Sequence, residues 1–182
     1  MRRLTASLVL LISLAPAAGL QAQEGAEVRL LADPGDVVWV GEKVDVHLEL
    51  WTEALSFSGQ AFTLPEAQGG YLLRTDSSTI NMTERRGRVT WTGLRYTFNL
   101  YPQRPGKVVI PAFNVRFATS AGYGSEPRPY TFSTQPLAVT AQLPPGADTG
   151  SLLVTTTDFN VVASWQPELT GEGSIELKTG DA

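Results

Sequence analysis

The chain has 182 residues, of which 42% are hydrophobic and 18% charged, with one histidine, no cysteine and a formal net charge of −4. The absence of cysteine excludes thiol catalysis, thiolate metal sites and disulfide staples, so the fold must rest on an apolar core. The acidic balance, without a basic stripe, excludes the usual electrostatic footprint of a nucleic-acid binder. Twelve prolines and seventeen glycines are spread among β-branched runs. No apolar pattern at helical spacing occurs beyond the first twenty residues, and the composition predicts an all-β fold of short strands and turns.

In chain order, Arg2 and Arg3 precede an apolar run from Leu4 to Leu14 and the small-residue stretch APAAGLQA. This reads as a signal peptide over 1–22, cut after Ala22, of the bacterial general-secretion type. The run is too short to span a bilayer comfortably. Removing Arg2 and Arg3 leaves twelve basic against eighteen acidic residues; residues 143–182 carry six of the acids and only Lys178 as a base.

The run EVRLL (27–31) predicts a first strand, Asp33 to Asp36 a turn and Val37 to Val40 a strand. Lys43 to Thr52 predicts the next, with Val44, Val46, Leu48 and Leu50 facing in and Asp45, His47, Glu49 and Trp51 facing solvent. Residues 56–70 are less regular, with Phe57 and Phe62 as core anchors. YLLR and a stretch within 77–82 are further strands, and Glu84 to Arg88 is a hairpin tip with Gly87 at positive φ.

From Val89 to Phe117 the pattern predicts two long strands. Leu94, Tyr96, Phe98 and Leu100 line one face. The corner YPQRPG, with Pro102, Pro105 and Gly106, folds the second strand back as a hairpin partner of the first. Its apolar face requires a second sheet. A loop over 121–129 and strands within 130–141 close the domain, 23–142. LPPGADTGS opens a linker (143–150). A fresh β pattern over 151–182 ends on SIELKTGDA, similar in form to VVWVGEKVDV, and predicts a second domain that is truncated.

Asp45, His47 and Glu49 share one strand face, but same-face neighbours lie roughly 7 Å apart, too far to grip one ion together. A hydrolase triad is possible only through His47, and no nucleophile elbow accompanies it. Gly69-Gly70 lacks the lysine and helix of a phosphate loop. Asn81-Met82-Thr83 fits a glycosylation acceptor that a bacterial envelope protein would seldom use. No enzyme activity, metal or cofactor is therefore expected. Arg85, Arg86 and Arg88 are either a plain polar tip or a contact for an acidic partner or lipid. Trp51 and Trp91 on the outward face, with Tyr123 in the long loop, are candidate contacts for protein or sugar unless the other sheet or the next domain covers them.

The succession VWVGEKVDVHLEL, LPEAQGGYLL, YTFNLYPQRPGKVVIPAFNVRF and SEPRPYTFSTQPLAVTA resembles the N-terminal region of BatD-type (oxygen tolerance, or aerotolerance) proteins. The most specific part is Tyr101-Pro102, Gly106 and Ile110-Pro111, with Trp165 before Gly180-Asp181 in the second domain. The resemblance implies tandem immunoglobulin-like antiparallel β-sandwich domains in the periplasm, held at the inner membrane by a later helix that this chain lacks. It also implies association with von Willebrand A-domain membrane proteins and a MoxR-type ATPase. The expected function is a non-enzymatic envelope scaffold for protein interaction; the alternative is a periplasmic carbohydrate-binding module resting on Trp51, Trp91 and Tyr123.

Overall fold

The structure is a computed structural model and describes residues 19–35, 37–75, 79–148, 153–157 and 160. The predicted signal peptide up to residue 18 lies outside them, as does all of the second β pattern except 153–157 and 160. The described residues form twelve strands: β1 (Gly19–Gln23), β2 (Ala26–Asp33), β3 (Val37–Trp39), β4 (Val44–Thr52), β5 (Ser56–Phe62), β6 (Gly70–Arg74), β7 (Ile80–Arg86), β8 (Val89–Pro102), β9 (Gly106–Ile110), β10 (Asn114–Ser120), β11 (Arg128–Ser133) and β12 (Leu137–Gln142). There is no helix among the described residues, and none long and apolar enough to cross a membrane.

A six-stranded antiparallel sheet runs β1-β2-β4-β8, with β6 and β7 both pairing the far side of β8. Strict alternation on β4 and β8 sets rows across it: Val28, Leu50 and Leu94 in one, Leu30, Leu48 and Tyr96 in the next, then Val46 with Phe98. These face a single core shared with Val108 and Ile110 of β9, Val115 and Phe117 of β10, Tyr130 and Phe132 of β11, and Val139 of β12. Leu48, Leu50 and Val44 are fully buried, and each such side chain contributes about 1.5–3 kcal/mol by leaving water. Phe57 and Phe62 pack against this core, as expected of apolar anchors in an otherwise irregular stretch.

The predicted hairpin across YPQRPG does not form. β8 has no free side: β4 takes one edge, while β7 pairs residues 89–95 and β6 pairs 98–102 on the other. The chain therefore leaves the sheet at Gln103, passes through Gly106 at φ +106°, and pairs β9 with β12 instead. KVVIP and FNVRF are also not one strand. β9 lies in the sheet β3-β12-β9 and β10 in the sheet β11-β10-β5.

One register runs through both antiparallel pairs, Ile110 opposite Leu137 and Asn114 opposite Ser133, so Pro111 stands opposite Pro136. Neither proline can donate to a ladder, and the break falls where both occur. Phe113 and Thr134 hold it together: the Phe113 N–H donates to Thr134 Oγ1 (3.0 Å) and the Thr134 N–H to Phe113 O (2.9 Å). Among the described residues β3 pairs β12 in parallel, and an isolated parallel bridge joins Glu42 to Thr155.

Two features concern the chain's ends. β1 pairs all five of its residues with β2, so the cut expected after Ala22 falls inside a strand. At the other end of β4, Leu153 packs on the core, and Thr155 donates its N–H to Gly41 O (3.2 Å) and its hydroxyl to Val40 O (2.8 Å). Gly41, at φ +79°, lets this segment approach, because a Cβ there would collide with the Leu153 carbonyl.

Candidate functional site

Trp51, Trp91 and Arg86 come together on the outer face of the six-stranded sheet. Trp51 ends the outward series Asp45, His47, Glu49, Trp51 and stands opposite Gly93 of β8. It does not reach solvent: it is 5% exposed, and Glu49 beside it is 2% exposed. The expectation of a solvent-facing Trp51 is therefore corrected, and the cover is not the other sheet but arginine side chains of the same face. The Arg29 guanidinium lies 5.5 Å and that of Arg86 5.4 Å from the Trp51 ring centroid. Arg86 also sits 4.2 Å over Trp91, which is half-buried.

Carboxylates fix these cations. Arg86 donates to Glu27 (2.6 Å) and to Glu84 (2.9 Å), and Arg29 donates to Glu27. Glu49 accepts the Trp51 ring N–H at 2.9 Å on one oxygen and Arg95 at 2.6 Å on the other. Burial alone would lower the Arg86 pKa, but its hydrogen bonds to Glu84 and Glu27 outweigh that and raise it. The bond from Arg86 holds Glu84 below the usual carboxylate range. Each cation–π contact contributes about 0.5–2 kcal/mol, and because the Glu27 and Glu49 carboxylates are buried, removing an arginine partner would leave a desolvated charge uncompensated. Together these contacts link Arg29, Arg86 and Arg95 to Glu27, Glu84 and Glu49 across the face, with Arg86 Nε buried and without a hydrogen bond among the described residues. Arg86 is thus committed within the chain, Trp51 is buried and offers no open ring face to a sugar, and Arg86 occupies one face of Trp91.

The other predicted contacts lie at the loops. Arg85 and Arg88 are exposed on the β7–β8 tip, where Gly87 takes φ +63° as expected. Tyr123 is fully exposed in the β10–β11 loop. Backbone bonds draw the neighbouring connections to the same end: Glu53 N to Gly25 O (3.2 Å) and Leu55 N to Ser120 O (3.1 Å). Thr92 pairs with Thr52, the last residue of β4, so the β7–β8 tip projects about 10 Å past it, three residues of rise. Leu55, 72% exposed, was not singled out from the sequence; its place in SFSG-adjacent polar surroundings gave no periodic signal.

His47 is part-buried on the outer face, its Nδ1 3.1 Å from Thr97 Oγ1. Among the described residues no group of three or more acids or histidines is placed to hold a metal. Burial, reinforced by the charge of Arg95, lowers the His47 pKa from 6.5, while Asp45, Glu49 and Asp33 pull the other way. The fold therefore favours the neutral ring, and the unfolded chain takes up the proton first as pH falls. The stability from this site is intact above pH 6.5 and declines as pH falls from 6.5 toward the lowered value. Urea unfolding across that window should show this loss in the wild type and a flatter profile in His47→Gln; parallel profiles would contradict it.

Comparison of the chain with protein-family models, with curated proteins and with solved structures gave no match.

Proposed function

We propose that the chain is a non-enzymatic envelope protein of immunoglobulin-like β-sandwich domains, and that its first domain binds a protein partner through one loop end. The observation that supports this is the polarity of the domain. Residues 153–157 dock beside Gly41, at the start of β4, while the connections around Gly25, Glu53 to Leu55, Gly87-Arg88 and 121–127 gather beyond its end at Thr52. Those positions are roughly 27 Å apart, the rise of eight residues along an extended strand. The end remote from the docked segment carries exposed Leu55 and Tyr123 and the exposed cations Arg85 and Arg88, and aromatic and arginine side chains are the types that protein interfaces favour. The BatD-type resemblance and the leader direct the first search to periplasmic faces of von Willebrand A-domain membrane proteins and their MoxR-type ATPase system.

The test is cross-linked capture from the bacterial envelope with wild type and with Leu55→Asp/Tyr123→Asp. Both sites are exposed, so thermal stability should stay within about 0.5 kcal/mol of wild type. A partner recovered with wild type should be depleted by about tenfold or more with the double variant. Equal recovery from both would overturn the reading, and recovery of glycan in place of protein would favour the carbohydrate-binding alternative.

A further inference from the structure

A second site, unrelated to the loop end, lies at the free edge of β5. A cleft of about 800 Å³ opens there between β5 and side chains of β6, β8 and β10. Its lining includes Arg74, Arg116, Asn114, Gln60, Phe62 and Tyr96, and none of its described lining residues is acidic. That charge balance stands out against the tryptophan face, where every cation already meets a carboxylate. The Arg116 guanidinium makes no ion pair or hydrogen bond with any described residue. Arg74 stacks 5.3 Å from the Phe62 ring and gives one long bond, 3.4 Å, to Phe62 O.

The cleft also contains unpaired backbone. Among the described residues β5 is the terminal strand of β11-β10-β5, with β10 on one side only. The Arg74 bond shows that the Phe62 carbonyl points out of the sheet, and in an extended strand the N–H of the same residue points the same way. Arg116 pairs with Ala61 across β10 and β5 and with Thr131 on its other side, so only a methyl group separates its guanidinium from the free edge. A strand added to β5 would lie roughly 10 Å from β10, two strand spacings, a gap that an arginine and a facing carboxylate side chain close between them. On the core side of the same edge, Phe62 is fixed by edge contacts to Tyr96 (5.1 Å) and Phe98 (5.9 Å), which keeps the strand from yielding.

We infer that this edge binds an extended acidic peptide segment of a partner protein, which adds to β5 as a strand and places carboxylates against Arg116 and Arg74. The main-chain ladder supplies affinity, and the two guanidinium groups select sign. Backbone and charge are both required, which separates this site from a merely basic surface.

The test uses the full chain and three labelled seven-residue peptides, read by fluorescence anisotropy. One alternates glutamate and valine, one alternates lysine and valine, and one carries the acidic charge with proline at alternate positions. The glutamate–valine peptide should bind saturably. The lysine and proline peptides should each bind at least about tenfold more weakly, the factor a single charge-assisted contact supplies. Arg116→Gln and Arg74→Gln should each weaken the glutamate–valine peptide by about fivefold to tenfold, and Ala61→Glu, which offers Arg116 an internal carboxylate, should do the same. All three positions are exposed, and unchanged thermal melts exclude unfolding as the cause. Equal binding of the proline peptide, no effect of Arg116→Gln, or no binding of the glutamate–valine peptide would each overturn the inference, whatever the loop end binds.

Discussion

Gly93→Val should lower stability by about 2–3 kcal/mol, the upper range for forcing atoms into a packed site, and the melting temperature by roughly 10 °C. The reason lies on a sheet face that looks solvent-exposed in sequence. A Cβ at Gly93 would fall 2.8 Å from Cε3 and Cζ3 of Trp51. That ring cannot swing away freely, because its N–H is held by Glu49 and its ring is packed by Arg29 and Arg86. Moving it also disturbs the Arg86 bonds to Glu27 and Glu84. The diagnostic experiment is the double-mutant cycle. In a Trp51→Ala background the valine meets open space, and a β-branched residue suits a strand better than glycine. The second substitution should then cost less than about 0.5 kcal/mol, or stabilise. Simple addition of the two single costs would mean that Gly93 is not there to seat the indole.

Phe117→Ala should cost more, about 3–5 kcal/mol as for other large aromatic deletions in cores, a large share of a typical domain stability of 5–15 kcal/mol. Phe117 is 3% exposed and is the hub of a ring cluster, with centroids 5.6 Å from Phe57, 5.6 Å from Tyr130 and 5.7 Å from Phe132. It joins three strands of one sheet through side chains. β5 depends on it most, since β10 is its only ladder partner among the described residues. Hydrogen exchange should therefore lose protection over 56–62 before the β2 and β4 amides change. Uniform loss across all strands would show that the cluster stabilises the domain as a whole and does not anchor the edge.

The alternation of Val44, Val46, Leu48 and Leu50, and of Leu94, Tyr96, Phe98 and Leu100, was enough to find the core face of the main sheet. Side-chain period is local information, and those residues carry it plainly. What lies beside each strand is not local. Nothing near Pro102 to Gly106 shows that both edges of β8 are already taken by β4, β6 and β7. The Pro111–Pro136 break likewise depends on a register between residues 25 positions apart. Trp51 was read correctly as outward-pointing and wrongly as available. The overlooked signal was Gly93, since a glycine inside an otherwise regular strand often marks a close approach. Arg74 and Arg116 drew no attention in sequence because single arginines on alternating strands are the normal polar face. Only the cleft, with no carboxylate in it, distinguishes them from Arg29, Arg86 and Arg95.

The loop end, and not the tryptophan face, is the surface we propose for contact with a protein partner. A photo-cross-linking amino acid placed singly at Leu55, at Tyr123 and at Ile80 in the intact chain tests it most directly. Ile80 is 52% exposed and lies on the outer face beside Arg95, so it samples the tryptophan side. A discrete adduct, of one mass, with an envelope protein is expected from positions 55 and 123 and none from position 80. An adduct from position 80 alone would contradict it and return the contact surface to the sheet.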